Sequence, residues 1–229
     1  MQTTKQQILV LLKRAGTITV EQTAGALAVA SMTARQHLTN LERDGLITSE
    51  KARGATGRPH YLYSLTPKGE EMFPRRYDLL AQVMLDEVGA LEPADVDGLN
   101  AGEKRSLVIR RTADRIADRY RLQVEGRPLE ERVVAVTDIL QLIGGFAEWY
   151  RAGDCFEIRD YNCVFAKLAT GSESDKENSG CEWHVRLLTQ LLKWPVRHEV
   201  FVEGRVECCR YLIDTEAAGK LGEGIPPNA

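Results

Sequence analysis

The sequence predicts an α+β chain with a helical front, a helical middle and a last third rich in strands. Three observations predict it. Apolar residues recur with helical period as far as about residue 143. Two short alternating runs near residues 47–65 flank a turn that carries only positive charge. Strand-like alternation then takes over, and all five cysteines (Cys155, Cys163, Cys181, Cys208 and Cys209) lie there.

Composition narrows the class. Of 229 residues, 43% are apolar and 28% charged, an ordinary globular mix. The longest apolar stretch, Val133 to Phe146, is interrupted by Asp138 and Gln141, so neither a spanning helix nor a membrane partner is expected. Met1 to Lys5 lacks the apolar core of an export signal, and a cytoplasmic location is expected. An odd cysteine count in a reducing compartment suggests thiols or metal ligands over disulfides. The net charge of −3 conceals +4 over residues 1–80 and −7 beyond them. One end of the molecule is therefore expected to meet a polyanion. No P-loop, GxSxG, HExxH or strand-linked GxGxxG occurs, so neither an enzyme nor a small-molecule substrate is expected.

The first helix is expected from Thr4 to Ala15, with Thr4 and Gln7 as a capping box and Gly16 as its stop. Thr19 with Gln22 opens the second. Ser31 is read as the cap of a third, which ends at Asp44 and Gly45. Leu46 to Thr48 and Tyr61 to Leu65 read as strands joined by the basic turn from Lys51 to Pro59. Three helices and such a hairpin make a winged helix-turn-helix, assigned to residues 1–66. On the third helix Ala34, Leu38 and Leu41 face inward. Ser31, Thr33, Gln36 and Asn40 lie outward and suit base edges, while Arg35 and His37 suit phosphates. Arg53 and Arg58 in the turn are expected on the DNA backbone or in the minor groove. Double-stranded operator DNA is the expected partner.

Residues 67–144 read as a helical linker and dimerisation region. Thr66 and Pro67 start a helix whose Phe73, Tyr77, Leu80, Met84 and Val88 form one apolar seam. A single winged helix binds DNA weakly, and two-fold dimers reading paired half-sites are the common solution, so a homodimer through this seam is expected. Helices from Ala101 to Leu122 and Pro128 to Ile143 follow, and Gly144-Gly145 ends the last.

Residues 145–216 read as an α+β domain. Strands are expected at Phe146 to Tyr150 and Phe156 to Tyr161. After a polar loop from Gly171 to Gly180, Cys181 opens a helix to Lys193. A hairpin follows, Val196 to Val202 and Arg205 to Ile213. Residues 217–229 are expected to fray. Cys163, Cys181 and one of Cys208 and Cys209 sit at or near element ends, 17 residues or more apart and with no CxxC pair. That pattern disfavours a zinc ribbon and suits an iron–sulfur cluster gripped between separate elements. Neighbours in a strand point to opposite faces, so Cys208 and Cys209 are not expected to share an iron.

Two stretches carry a family resemblance. The run from Ser31 to Leu38 (SMTARQHL), then Leu41 to Ile47, then Gly57-Arg58-Pro59 through Leu65-Thr66-Pro67-Lys68-Gly69 resembles winged helices of the DeoR and ArsR types. Together with Asn162-Cys163, the helix-opening Cys181 and the Gly204 to Tyr211 stretch, it is similar to repressors of the suf iron–sulfur assembly operon. The resemblance implies a dimeric, redox-sensitive repressor whose cluster, [4Fe-4S] favoured over [2Fe-2S], is held by Cys163, Cys181 and Cys209. The C-x-Y match selects Cys209. A fourth position is left open, with His184, one turn after Cys181, ahead of Cys208 and Cys155, and with a small molecule or an oxygen ligand as further alternatives. The sequence departs from the family at Val164, where proline is common, and in a longer loop before Cys181. Three other readings compete: a winged-helix regulator controlled by zinc or a small ligand, an enzyme with a fused DNA-binding module, which no motif supports, and a pure interaction scaffold.

Overall fold

The computed structural model describes residues 3–53, 59–73, 75–164, 179–203 and 206–215. Arg58, most of the polar loop and the tail from 217 lie outside the described residues, as do the side chains of Arg53 and Cys181. The chain divides into two compact units, one of residues 1–74 and 201–207 and one of residues 75–200 and 208–229. Helix and sheet are mixed throughout.

The first unit holds α1 (Thr4–Ala15), α2 (Val20–Leu27), α3 (Ser31–Arg43), β1 (Ile47–Arg53), β2 (Pro59–Leu65) and the single turn α4 (Pro67–Glu70). The first capping box is Thr3 with Gln6, one residue ahead of the expected pair. Thr19 and Gln22 form the second as expected. Ser31 lies inside α3, whose cap position is Ala30 with no side-chain bond, so the expected Ser31 cap is corrected. Residues 28–30 make the turn between α2 and α3, and Ala28 adopts the left-handed conformation there (φ 54°). β1 and β2 pair antiparallel from Ile47↔Leu65 to Arg53↔Pro59. Ile8, Leu12, Ile18, Ala34, Leu38, Leu41 and Ile47 fill the core.

The expected seam from Phe73 to Val88 is broken. Pro74 follows Phe73, and a residue before proline is pushed out of the helical region. The helix therefore stops at Glu70 and restarts as α5 (Tyr77–Gly89). Phe73 packs on the first unit's core, with the Lys13 ammonium 5.4 Å from its ring centre. In α5, Leu80 and Val83 are buried while Tyr77, Leu85 and Val88 are exposed.

The chain continues with α6 (Pro93–Val96), α7 (Ala101–Tyr120), α8 (Leu129–Leu142), β3 (Ala147–Ala152), β4 (Cys155–Asp160), α9 (Ser179–Leu192), β5 (Arg197–Glu203) and β6 (Val206–Asp214). The four strands form one sheet in the order β3-β4-β6-β5. Side chains from both sides of residue 144 meet in one core. Leu80, Ile116, Val136 and Leu140 pack with Ile158, Leu187, Leu188, Tyr211 and Ile213. Arg186 clamps Asp114 of α7 with two 2.7 Å bonds, which fixes the register of α9 on α7. Among the described residues no helix is long and apolar enough to cross a membrane.

Candidate functional site

The outward face of α3 is open. Ser31, Met32, Thr33, Arg35, Gln36 and Thr39 are exposed, His37 and Asn40 are half-buried, and Ala34, Leu38 and Leu41 are buried. Gln36 Nε2 donates to Asn40 Oδ1 at 3.3 Å, one turn along, so two amides stand side by side on that face. Amides and short hydroxyls are the groups that read base edges in the major groove. The following turn is tightly built. Thr66 Oγ1 donates to the Gly45 carbonyl (2.7 Å) and accepts from the Gly69 N–H (3.1 Å). A methyl on Gly69 would stand 2.1 Å from the Leu46 carbonyl oxygen, which explains the glycine at this point of the sequence motif.

The cysteine region is built on strand alternation. β4 pairs with β6 in the register Phe156↔Ile213, Ile158↔Tyr211, Asp160↔Cys209. These six residues share the sheet face that packs on the helices, and Cys208, Arg210 and Leu212 face the other way. Asp160 is 1% exposed. Its Oδ1 accepts from the Phe146 N–H and the Asn162 N–H, both at 2.9 Å. Asn162 Nδ2 in turn donates to the Gly144 carbonyl at 3.0 Å. Asp160 and Asn162 thereby pin the chain immediately before Cys163 to the glycine turn after α8. That turn tolerates no side chain. A methyl on Gly144 would lie 2.3 Å from the Arg76 nitrogen, and one on Gly145 would lie 3.3 Å from both Asp160 oxygens.

Cys163, half-buried, comes next to α9. Its Sγ lies 3.9 Å from His184 Nδ1. His184 is 2% exposed, its ring edge-on to Trp183 (4.7 Å between centres) and 5.8 Å from the Tyr211 ring. His184 Nε2 lies 3.9 Å from Asp160 Oδ2. His198 also stands beside Tyr211, 5.2 Å between ring centres. Burial pushes the Tyr211 hydroxyl well above its ordinary pKa, and the adjacent Cys209 and Cys163 thiols and Asp160 add to the push. Cys163 and Cys209, 46 residues apart, are thus brought to one buried tyrosine. Cys181 lies at the start of α9, three residues before His184.

The other two cysteines go elsewhere. Cys208 lies on the opposite face beside Glu157 and Arg159. Burial pushes its thiol up to about 11, only partly offset by Arg159. Cys155 lies at the far end of β4, opposite Asp214, and lines a recess of about 450 Å³ with Pro195, Val196 and Arg197. Among the described residues no three of His, Cys, Asp and Glu stand close enough to share one metal ion. Around Tyr211 stand two thiols and an imidazole, donor types that iron–sulfur clusters take, at a buried site carrying one unsatisfied carboxylate oxygen.

Sequence reasoning missed Asp160 and Tyr211. The signal for Asp160 was present, because a carboxylate following Phe156 and Ile158 at every second position has to sit on the apolar face.

No curated protein and no solved structure matches the chain. Residues 5–57 match the family model described as a DeoR-like helix-turn-helix domain. This match spans α1 to β1, including the open face of α3. The chain carries a DeoR-like helix-turn-helix domain and is a DNA-binding transcriptional regulator.

Proposed function

We propose that the chain is a homodimeric repressor of iron–sulfur cluster assembly genes that holds its operator only while it holds a cluster. The convergence of Cys163 and Cys209 on Tyr211, with His184 beside Cys163, is the observation that carries this reading. Cys163, Cys181 and Cys209 are its cysteine ligands, and a [4Fe-4S] cluster is favoured over [2Fe-2S]. A bound cluster supplies an oxidisable tie between the end of β4, the start of α9 and the middle of β6. Asp160 and Asn162 hold the Cys163 end of that tie, and the Arg186–Asp114 clamp holds α9. In the first unit, α3 reads the major groove through Ser31, Thr33, Gln36 and Asn40. Arg35 and His37 contact phosphates, and the β1–β2 hairpin acts as a wing with Arg53 and Arg58. The exposed Tyr77, Leu85 and Val88 of α5 form the dimer surface.

The test is anaerobic reconstitution of the full chain with iron and sulfide, followed by operator binding with and without the cluster. Tighter binding by the loaded form is expected. A protein that takes up no acid-labile sulfide, or that binds DNA equally in both forms, overturns the reading.

A further inference from the structure

We infer that His184 is the fourth, nitrogen ligand of the proposed cluster and that Asp160 is the residue that positions it. The inference rests on the cluster reading above and goes further, because it assigns the position that three cysteines leave open.

Three observations carry it. His184 Nδ1 faces Cys163 Sγ at 3.9 Å, so the imidazole stands beside a cysteine assigned to the cluster. Its other nitrogen faces a carboxylate, Asp160 Oδ2, at 3.9 Å. That oxygen is buried and has no hydrogen-bond partner, although Oδ1 of the same group accepts two backbone N–H bonds. An unpartnered carboxylate oxygen in a core leaves its desolvation uncompensated, so a buried site that keeps one has a use for it. A small approach lets Nε2–H donate to Oδ2. This fixes the tautomer with the Nδ1 lone pair directed to the thiol side, the arrangement by which carboxylates orient ligating histidines.

The competing donors are worse placed. Cys208 faces away from Cys209 across the sheet. Cys155 is paired with Asp214 at the far end of β4. His198 also meets Tyr211, at 5.2 Å between ring centres, and is the competing imidazole that the His198→Ala variant below tests.

The experiment uses the full chain carrying ¹⁵N-labelled histidine, reconstituted anaerobically and reduced by one electron. Pulsed electron paramagnetic resonance reads nitrogen coupled to the cluster spin. Strong ¹⁵N coupling is expected in the wild type and in His198→Ala, and none in His184→Ala. His184→Cys should restore full iron and sulfide content without the nitrogen signal, and so guards against a variant that merely fails to fold. Asp160→Asn keeps the oxygen that accepts from Phe146 and Asn162. It should load the cluster, alter the nitrogen coupling and release iron to a chelator about tenfold faster. A loaded wild type without nitrogen coupling, or coupling that survives His184→Ala, overturns the assignment and leaves the cluster reading standing. A wild type with no cluster overturns both.

Discussion

Asp160 and Cys209 are register partners across β4 and β6, and both face the helices. The pairing separates the cysteine doublet, with Cys209 on the side of Tyr211 and Cys208 among the charges of the other face. Cys209→Ser is expected to abolish cluster uptake and Cys208→Ser to leave it near the wild-type level, measured as iron and sulfide per chain. Equal losses in both variants would contradict the division.

The Cys208 thiol also gives a pH prediction. Its pKa is raised to about 11 in the folded chain, so the folded state holds this proton more tightly than the unfolded state does. The contribution to stability is complete below the unfolded thiol pKa, about 8.5, and is lost as pH rises toward 11. In cluster-free protein Cys208 should be the slowest thiol to alkylate at pH 8, with a rate that climbs up to about pH 11. Mass mapping of alkylated peptides against time checks this.

For DNA reading, Gln36→Ala should cost about 1–3 kcal/mol on the cognate operator and relax preference at one base position. Arg35→Ala should weaken binding to all sequences alike and lower the salt slope by about 1. Fluorescence anisotropy on cognate and scrambled duplexes at several salt concentrations separates the two behaviours.

Gly69→Ala places a methyl against the Leu46 carbonyl, a backbone atom that cannot swing away. A loss of about 3 kcal/mol from the first unit is expected, seen as a lower urea midpoint. A midpoint unchanged from the wild type would mean that the turn relaxes freely.

Leu85 and Val88 project from α5 into solvent. Leu85→Glu is expected to shift the protein from dimer to monomer in sedimentation and to weaken operator binding at least tenfold, with circular dichroism unchanged.

Much of this architecture was legible because local signals agreed. Thr19 with Gln22 and the paired glycines at 144–145 each act within a few residues. The first cap slipped by one because Thr3-Thr4 and Gln6-Gln7 offer two overlapping boxes of equal chemistry. Phe73 has the right spacing to extend the seam, yet Pro74 cuts the helix, so backbone chemistry overrode periodicity. The thiol site was legible as residue types but not as a place. The meeting of Cys163 with His184 depends on how α9 docks on the sheet, and no local pattern encodes that.

The glycine turn after α8 has a mechanical consequence. Gly144 is held by Asn162, the neighbour of Cys163, and presses against the backbone of Arg76, at the mouth of α5. Arg76 lies two residues along the chain from the point where the reading unit ends. A side chain at position 144 would therefore disturb the segment next to Cys163 and the start of α5 at once.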